Sequence, residues 1–154
     1  MRIRCAARLL VINSARQVLL FRFSHHNDAL SGQTYWATPG GGVKKGENFD
    51  QAAIRELREE TGIVRDNVGQ CVAQREFRMM LPCGEEVLAK KQFYIVAIDA
   101  IDIDTAEWTD NEKNVITDYA WWDLRALANT SEVVYPLNIT KIIWGAKVNT
   151  ALIE

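Results

Sequence analysis

The sequence has few cysteines, and their placement excludes two kinds of small stapled domain. Cys5, Cys71 and Cys83 are odd in number and far apart, so they supply no disulfide framework, and no CxxC pair is present to begin a zinc site. They are read as reduced thiols that pack in a cytoplasmic protein. Long apolar runs are missing as well. The apolar stretch near the N-terminus is broken by Arg8 and falls short of a signal peptide's core, and no other run is long enough to span a membrane. Strong charge of either sign is absent too. A formal net charge of −2 gives no overall attraction for a polyanion, which disfavours a nucleic-acid polymer as partner. Phosphate ligands stay open wherever a metal supplies positive charge. No internal repeat, low-complexity tract or linker divides the chain, so its 154 residues are read as one domain, 1–154.

What is present is the composition of a folded domain with a sizeable core, 48% hydrophobic and 25% charged. Residues 2–12 and 17–23 are rich in Ile, Leu, Val and Phe and read as a strand pair. Residues 24–34 are polar, carry His25 and His26, and read as a loop; strand composition returns at 35–38, before Pro39. Two further extended runs, 68–81 and 86–98, flank Pro82, Cys83, Gly84 and Glu85, which are turn residues, so a hairpin is expected. Residues 99–114 are acidic and irregular, and a short strand follows at 119–122. Ile139, Ile142, Ile143, Ala146 and Ile153 fall on helical spacing, which predicts a closing amphipathic helix.

The most informative stretch begins at Gly40, Gly41 and Gly42. Asn48 is a good N-cap with Gln51 at the third helical position, and Thr61-Gly62 is a stop, so a helix is predicted over Phe49–Thr61. On it Glu56, Glu59 and Glu60 share i, i+3, i+4 spacing, which puts the carboxylates on one face, while Ala53, Ile54 and Leu57 form a neighbouring face able to dock on a sheet. Clustered carboxylates repel one another, and a hard divalent cation removes the conflict. Oxygen ligands of this kind suit Mg²⁺, with Mn²⁺ as a substitute. Glycines without Cβ atoms let the backbone approach such a site closely. For the helix by itself, the alternative is a solvated face with pairs such as Arg55 and Glu59.

A longer pattern decides between these readings. Gly41, Glu47, Arg55, Glu56, Leu57, Glu59, Glu60, Gly62 and Ile63 stand at the spacing of the Nudix box, and the chain resembles the Nudix hydrolase family. The resemblance extends more loosely to the flanking strands, to the run from Tyr35 to Pro39 and to the run from Tyr119 to Leu124. It implies an α/β fold, an α/β/α sandwich with a mixed β-sheet, and metal-dependent hydrolysis of a diphosphate linkage in a nucleoside diphosphate derivative. It further implies Glu56, Glu59 and Glu60 as Mg²⁺ ligands, with the Gly40 carbonyl as a backbone ligand. Arg55 and Glu47 become the ion pair that holds the loop against the helix. Glu59 and, downstream, Glu112 are the candidates for the base that takes a proton from water. Gly41, Gly42, Lys44 and Lys45 make the candidate substrate-binding loop.

Other residues carry weaker signals. His25 and His26 are candidates to act over the site from a loop, set against incidental loop residues. Trp36, Trp121 and Trp122 read as core or sheet residues before they read as a stacking platform. Beyond the box, the Phe77 to Met80 window carries neither the Pro nor the Tyr that marks family subgroups acting on ADP-ribose or dinucleoside polyphosphates. The resulting expectation is a MutT-like nucleoside triphosphate pyrophosphohydrolase. An ADP-ribose or nucleotide-sugar pyrophosphatase is the alternative, and a non-catalytic nucleotide-binding module is the reading from a different class. The implied partner is a small-molecule nucleotide, with no nucleic-acid polymer, no membrane and at most a second copy of the chain in a homodimer.

Overall fold

Strand β1, Arg2–Asn13, alternates between two apolar sides, and this sets the architecture. Ala7, Leu9 and Val11 enter one core, whereas Leu10 and Ile12 enter another. A strand buried on both faces belongs in the middle of a sheet. The computed structural model describes residues 1–99 and 102–153, with side-chain surroundings described as far as residue 146. In it β1 runs parallel to β6 (Glu86–Ile98) in register from Arg2↔Val87 to Asn13↔Ile98, and antiparallel to β2 (Gln17–Ser24) at Ile12↔Val18. β2 pairs with β3 (Thr34–Ala37) and with β7 (Ile116–Asp123), and β5 (Ala73–Met80) pairs with β6 as the expected hairpin. β8 (Val134–Tyr135) adds to β3 in parallel. The sheet is therefore mixed, in the order β5-β6-β1-β2-β3-β8, with β4 (Gly40–Gly42) on β1 and β7 on β2.

Helices cover both faces, as expected for an α/β/α sandwich. Helix α1, Phe49–Thr61, lays Ala52, Ala53 and Leu57 on the core that contains Leu9, Val11, Phe21 and Tyr94. The Tyr94 hydroxyl donates to Asp50 at 2.8 Å and ties the first turn of α1 to β6. On the opposite face α3 (Leu124–Asn129) and α4 (Ile139–Ile153) bury Leu124, Leu127, Ile139, Ile142 and Ile143 against Leu10, Leu20 and Phe93. The expected α4 face is observed at these isoleucines; Ile153 lies outside the side chains described. Trp36 and Trp122 pack edge to face at 5.3 Å in this second core, and Trp121 packs against the first. Among the described residues no helix is long and apolar enough to cross a membrane.

Several segments differ from expectation. The glycines form a strand rather than a loop, because Gly40, Gly41 and Gly42 pair with Arg8, Ala7 and Ala6 of β1. Residues 68–72 are not strand, and β5 starts only at Ala73. The stretch 99–114, of which 100 and 101 lie outside the described residues, contains helix α2, Asp110–Val115. Its cause is a capping box, in which Thr109 and Glu112 satisfy each other's backbone N–H groups. β7 is longer than residues 119–122 because β2 offers a partner along its whole length. Leu57 is fully buried beneath α1. Leu57→Ala should therefore cost about 2–5 kcal/mol, read as a lower urea midpoint with an unchanged slope.

Candidate active site

Helix α1 is fixed at both ends before any functional group is placed. Asn48 Oδ1 accepts from the Gln51 N–H at 2.8 Å, Gln51 Oε1 accepts from the Asn48 N–H at 2.9 Å, and the Gly62 N–H donates to the Arg58 carbonyl at 2.9 Å. The helix then turns Glu56 and Glu60 inward beside Leu57, leaving them 9% and 2% exposed, while Glu59 sits at the rim. The carboxylates expected on one face next to the docking face thus differ in burial, Glu56 and Glu60 being buried and Glu59 not. Glu56 and Glu60 lie one turn apart in the sector that faces the sheet; Glu59 is rotated out of it.

Arg55 organises the rim. Its Nε and Nη2 donate to the two carboxylate oxygens of Glu47 at 2.7 and 3.0 Å, Nη2 also donates to the Gly42 carbonyl at 2.9 Å, and Nη1 donates to Glu56 at 2.8 Å and Glu59 at 3.2 Å. The expected pair with Glu47 is thus present and bidentate. Hydrogen bonding to Arg55 holds the Glu47 carboxyl down at about 2, and the same bonds raise the Arg55 guanidinium. Glu59 also faces Arg58 at 3.8 Å.

The glycine strand passes directly over the inner carboxylates. The Gly40 N–H donates to both oxygens of Glu60 at 3.2 Å. A Cβ on Gly41 would stand 2.5 Å from Glu56 Oε1, and one on Gly40, at φ +140°, would strike the Ala7 carbonyl. At position 40, where the obstacle is the β1 backbone, only glycine fits.

Electrostatics mark the inner pair as incomplete. Burial first, and then the charge of Glu56, push the Glu60 carboxyl well above its ordinary range; burial likewise raises Glu56, against the pull of Arg55. Among the described residues no three carboxylate, imidazole or thiol groups are gathered into a ready-made cage. Glu56 and Glu60 nevertheless fit a hard cation, since both are buried oxygen donors and Arg55 reaches Glu56 alone of the two.

Comparison with known proteins identifies the family. The chain matches the NUDIX domain over residues 2–139. It belongs to the NUDIX family. Over 55 residues it is 42% identical to an RNA pyrophosphohydrolase of Wolbachia pipientis subsp. Culex pipiens, covering 36% of this chain and 32% of that protein. The chain thus spans about a third of the length of that curated relative. Among solved structures it resembles a MutT protein from Methanosarcina mazei, with TM-score 0.68, 21% identity and coverage of 97% of this chain and 96% of that one. It also resembles the NUDIX domain of Shewanella oneidensis NrtR complexed with ADP ribose, with TM-score 0.63, 17% identity and coverage of 95% and 88%.

Around the NUDIX box the remaining candidates separate. Lys44 and Lys45 are exposed in the turn after the glycine strand, where the Lys44 N–H donates to Glu47 at 2.9 Å. Glu112 lies on α2 rather than in a loop. It is half-buried, accepts from the Thr109 N–H at 2.9 Å, and its charge contributes to the rise of Glu60. The segment leading to it is anchored on α1: the Trp108 indole donates to the Glu60 carbonyl at 2.8 Å, and Glu107 pairs with Arg58 at 2.9 Å. His25 is buried, within hydrogen-bond distance of Asp28 at 2.8 Å and of the Tyr35 hydroxyl at 2.9 Å, so it braces Tyr35 rather than reaching over the box; His26 is exposed.

Beside the box opens a cavity of about 490 Å³ lined by Arg4, Arg8, Tyr35, Phe77 and Lys91 among others. Sequence reading passed over Arg4 and Arg8, although their spacing puts both on one face of β1. Arg75 and Lys91 carried no such signal, because their meeting depends on strand register.

The depressed Glu47 carboxyl has a consequence for stability. A group held below its ordinary 4.5 stabilises the fold fully above that value and loses its contribution as pH falls towards about 2. Glu47→Gln should therefore melt below the parent at neutral pH, and the gap should narrow between these limits, as followed by thermal melts across an acid series.

Proposed function

We propose that this chain is a metal-dependent pyrophosphohydrolase that cleaves a diphosphate linkage in a nucleoside diphosphate derivative. The buried Glu56 and Glu60 pair carries this reading. Two carboxylates held together away from water destabilise the fold unless a cation joins them. In the proposal Glu56, Glu59 and Glu60 hold Mg²⁺, with Mn²⁺ as a substitute and the Gly40 carbonyl as a backbone ligand. When bound, such an ion neutralises charge on phosphate oxygens and acidifies water.

The chain's own groups do the rest by placement. Arg55 fixes Glu47, Gly42, Glu56 and Glu59 relative to one another, so loop and helix meet the substrate as one surface. Glu59, at the rim, is the leading group to receive a proton from water, and Glu112 is the second candidate. Gly41 and Gly42 keep the backbone close to the phosphates, with Lys44 and Lys45 as flanking positive charge. The proposed substrate is a nucleoside triphosphate, handled in the manner of MutT. An ADP-ribose or nucleotide-sugar activity is the alternative, motivated by the likeness to the ADP-ribose complex. The intact set of box carboxylates argues against a purely binding role.

Formation of the nucleoside monophosphate from a panel of nucleoside triphosphates, ADP-ribose and nucleotide sugars with Mg²⁺ tests the reading, and a folded protein that turns over none of them would sink it. Metal should also stabilise the fold by about 2.7 kcal/mol at a hundredfold excess over Kd. Melts in EDTA and then in Mg²⁺ check this; equal melting points would count against an ordered site. Glu59→Gln should lower kcat by about 10²-fold or more with the fold intact. If Glu59→Gln retains parental turnover while Glu112→Gln loses it, the base lies on α2 instead.

A further inference from the structure

The cavity beside the box has an unbalanced wall. Arg4, Arg8, Arg75, Arg78 and Lys91 line it, and no carboxylate among the described residues does. Four of these cations share one sheet face. Register aligns both Ala6 of β1 and Arg75 of β5 with Lys91 of β6, and Arg4 and Arg8 stand two residues on either side of Ala6. Arg75 and Lys91 are thus directly opposite each other, with their charges 5.4 and 5.2 Å from the centre of the Phe77 ring.

Folding does not account for this grouping. Like charges directly opposite across a strand pair are destabilising, and a part-buried ammonium without a counter-charge is costly. Among the described residues none of the four makes an ion pair. Arg8 turns to Thr38, and Arg75 donates to the Asn138 side chain at 3.4 Å. Burial first, and then Arg8, Arg4 and Arg75, pull the Lys91 ammonium down to about 7. The net charge of −2 conceals the face completely. It also begins beside the box, since a Cβ on Gly42 would lie 3.3 Å from the Arg4 guanidinium while its neighbour Gly41 abuts Glu56.

We propose that Arg4, Arg8, Arg75 and Lys91 form an anion subsite for phosphate groups beyond those joined by the cleaved linkage. The substrate class is then a chain of three or more phosphates, carried on a free nucleoside or on the 5′ end of an oligonucleotide. The identity of the linkage rests on the hydrolase reading, whereas the subsite needs no metal and can be measured apart from turnover.

The probe is inorganic tripolyphosphate, titrated calorimetrically against inorganic pyrophosphate in metal-stripped buffer. The parent protein should bind tripolyphosphate about tenfold more tightly, with affinity falling as salt rises, and Arg75→Gln and Lys91→Met should each lose about tenfold. The melting point of ligand-free Lys91→Met should not fall, because a repulsion is removed. Arg75→Gln, on the edge strand, gives the same reading if Lys91→Met does not fold. Failure of the parent to distinguish the two probes, or unchanged binding in both variants, overturns the subsite. Tripolyphosphate binding without turnover of any nucleotide upholds the subsite and defeats the hydrolase reading; turnover without metal-free binding does the reverse. With Mg²⁺, kcat/KM for a nucleoside triphosphate against a 5′-triphosphorylated oligonucleotide identifies the carrier. A preference for ADP-ribose over both overturns the assignment.

Discussion

The Arg55 guanidinium is the interaction on which the candidate site depends. It spans the turn carrying Glu47, the glycine strand at Gly42 and the helix rim at Glu56 and Glu59. A planar fork of donors can hold three segments in fixed relation, which a lysine's single charged nitrogen cannot do with the same geometry. Between β4 and α1 the chain is anchored at its ends by Val43 and Phe49, while Lys44, Lys45 and Gly46 between them are exposed. The strand over the inner carboxylates has a second tie to α1 in the Gly40 contact with Glu60.

The rest of the site follows from a separation of charge. Negative groups gather under β4 on α1, and positive groups gather on the neighbouring face of β1, β5 and β6. Arg8 belongs to both, because it lines the cavity and its charge opposes the rise of Glu56 and Glu60. Each cluster is unfavourable alone. A metal between the carboxylates and phosphates across the cations would relieve both.

Much of the fold was legible because it rests on local rules. Strands β1, β2 and β6, the β5–β6 hairpin, helix α1 with its caps and the apolar side of α4 all follow from periodicity and punctuation. The missed elements were short or conditional. β4 consists of glycines whose strand geometry exists only because β1 supplies partners, and β8 has two residues that pair only with β3. Helix α2 was readable in principle from Thr109 and Glu112, a capping box hidden in an acidic stretch.

For the site, the sequence by itself determined the box: which carboxylates recur on α1, which arginine stands one residue before them, and where side chains had to be absent. Spacing along one helix and one loop is enough for that, since neighbours in such segments are neighbours in the chain. Only the tertiary structure decided that Glu56 and Glu60 turn inward while Glu59 stays at the rim, that His25 braces Tyr35, and that the segment before Glu112 is anchored on α1 through Trp108 and Glu107. It alone brought Arg4 and Arg8 to Arg75 and Lys91, because strands far apart in sequence meet through register, which the order of residues along any one of them does not contain.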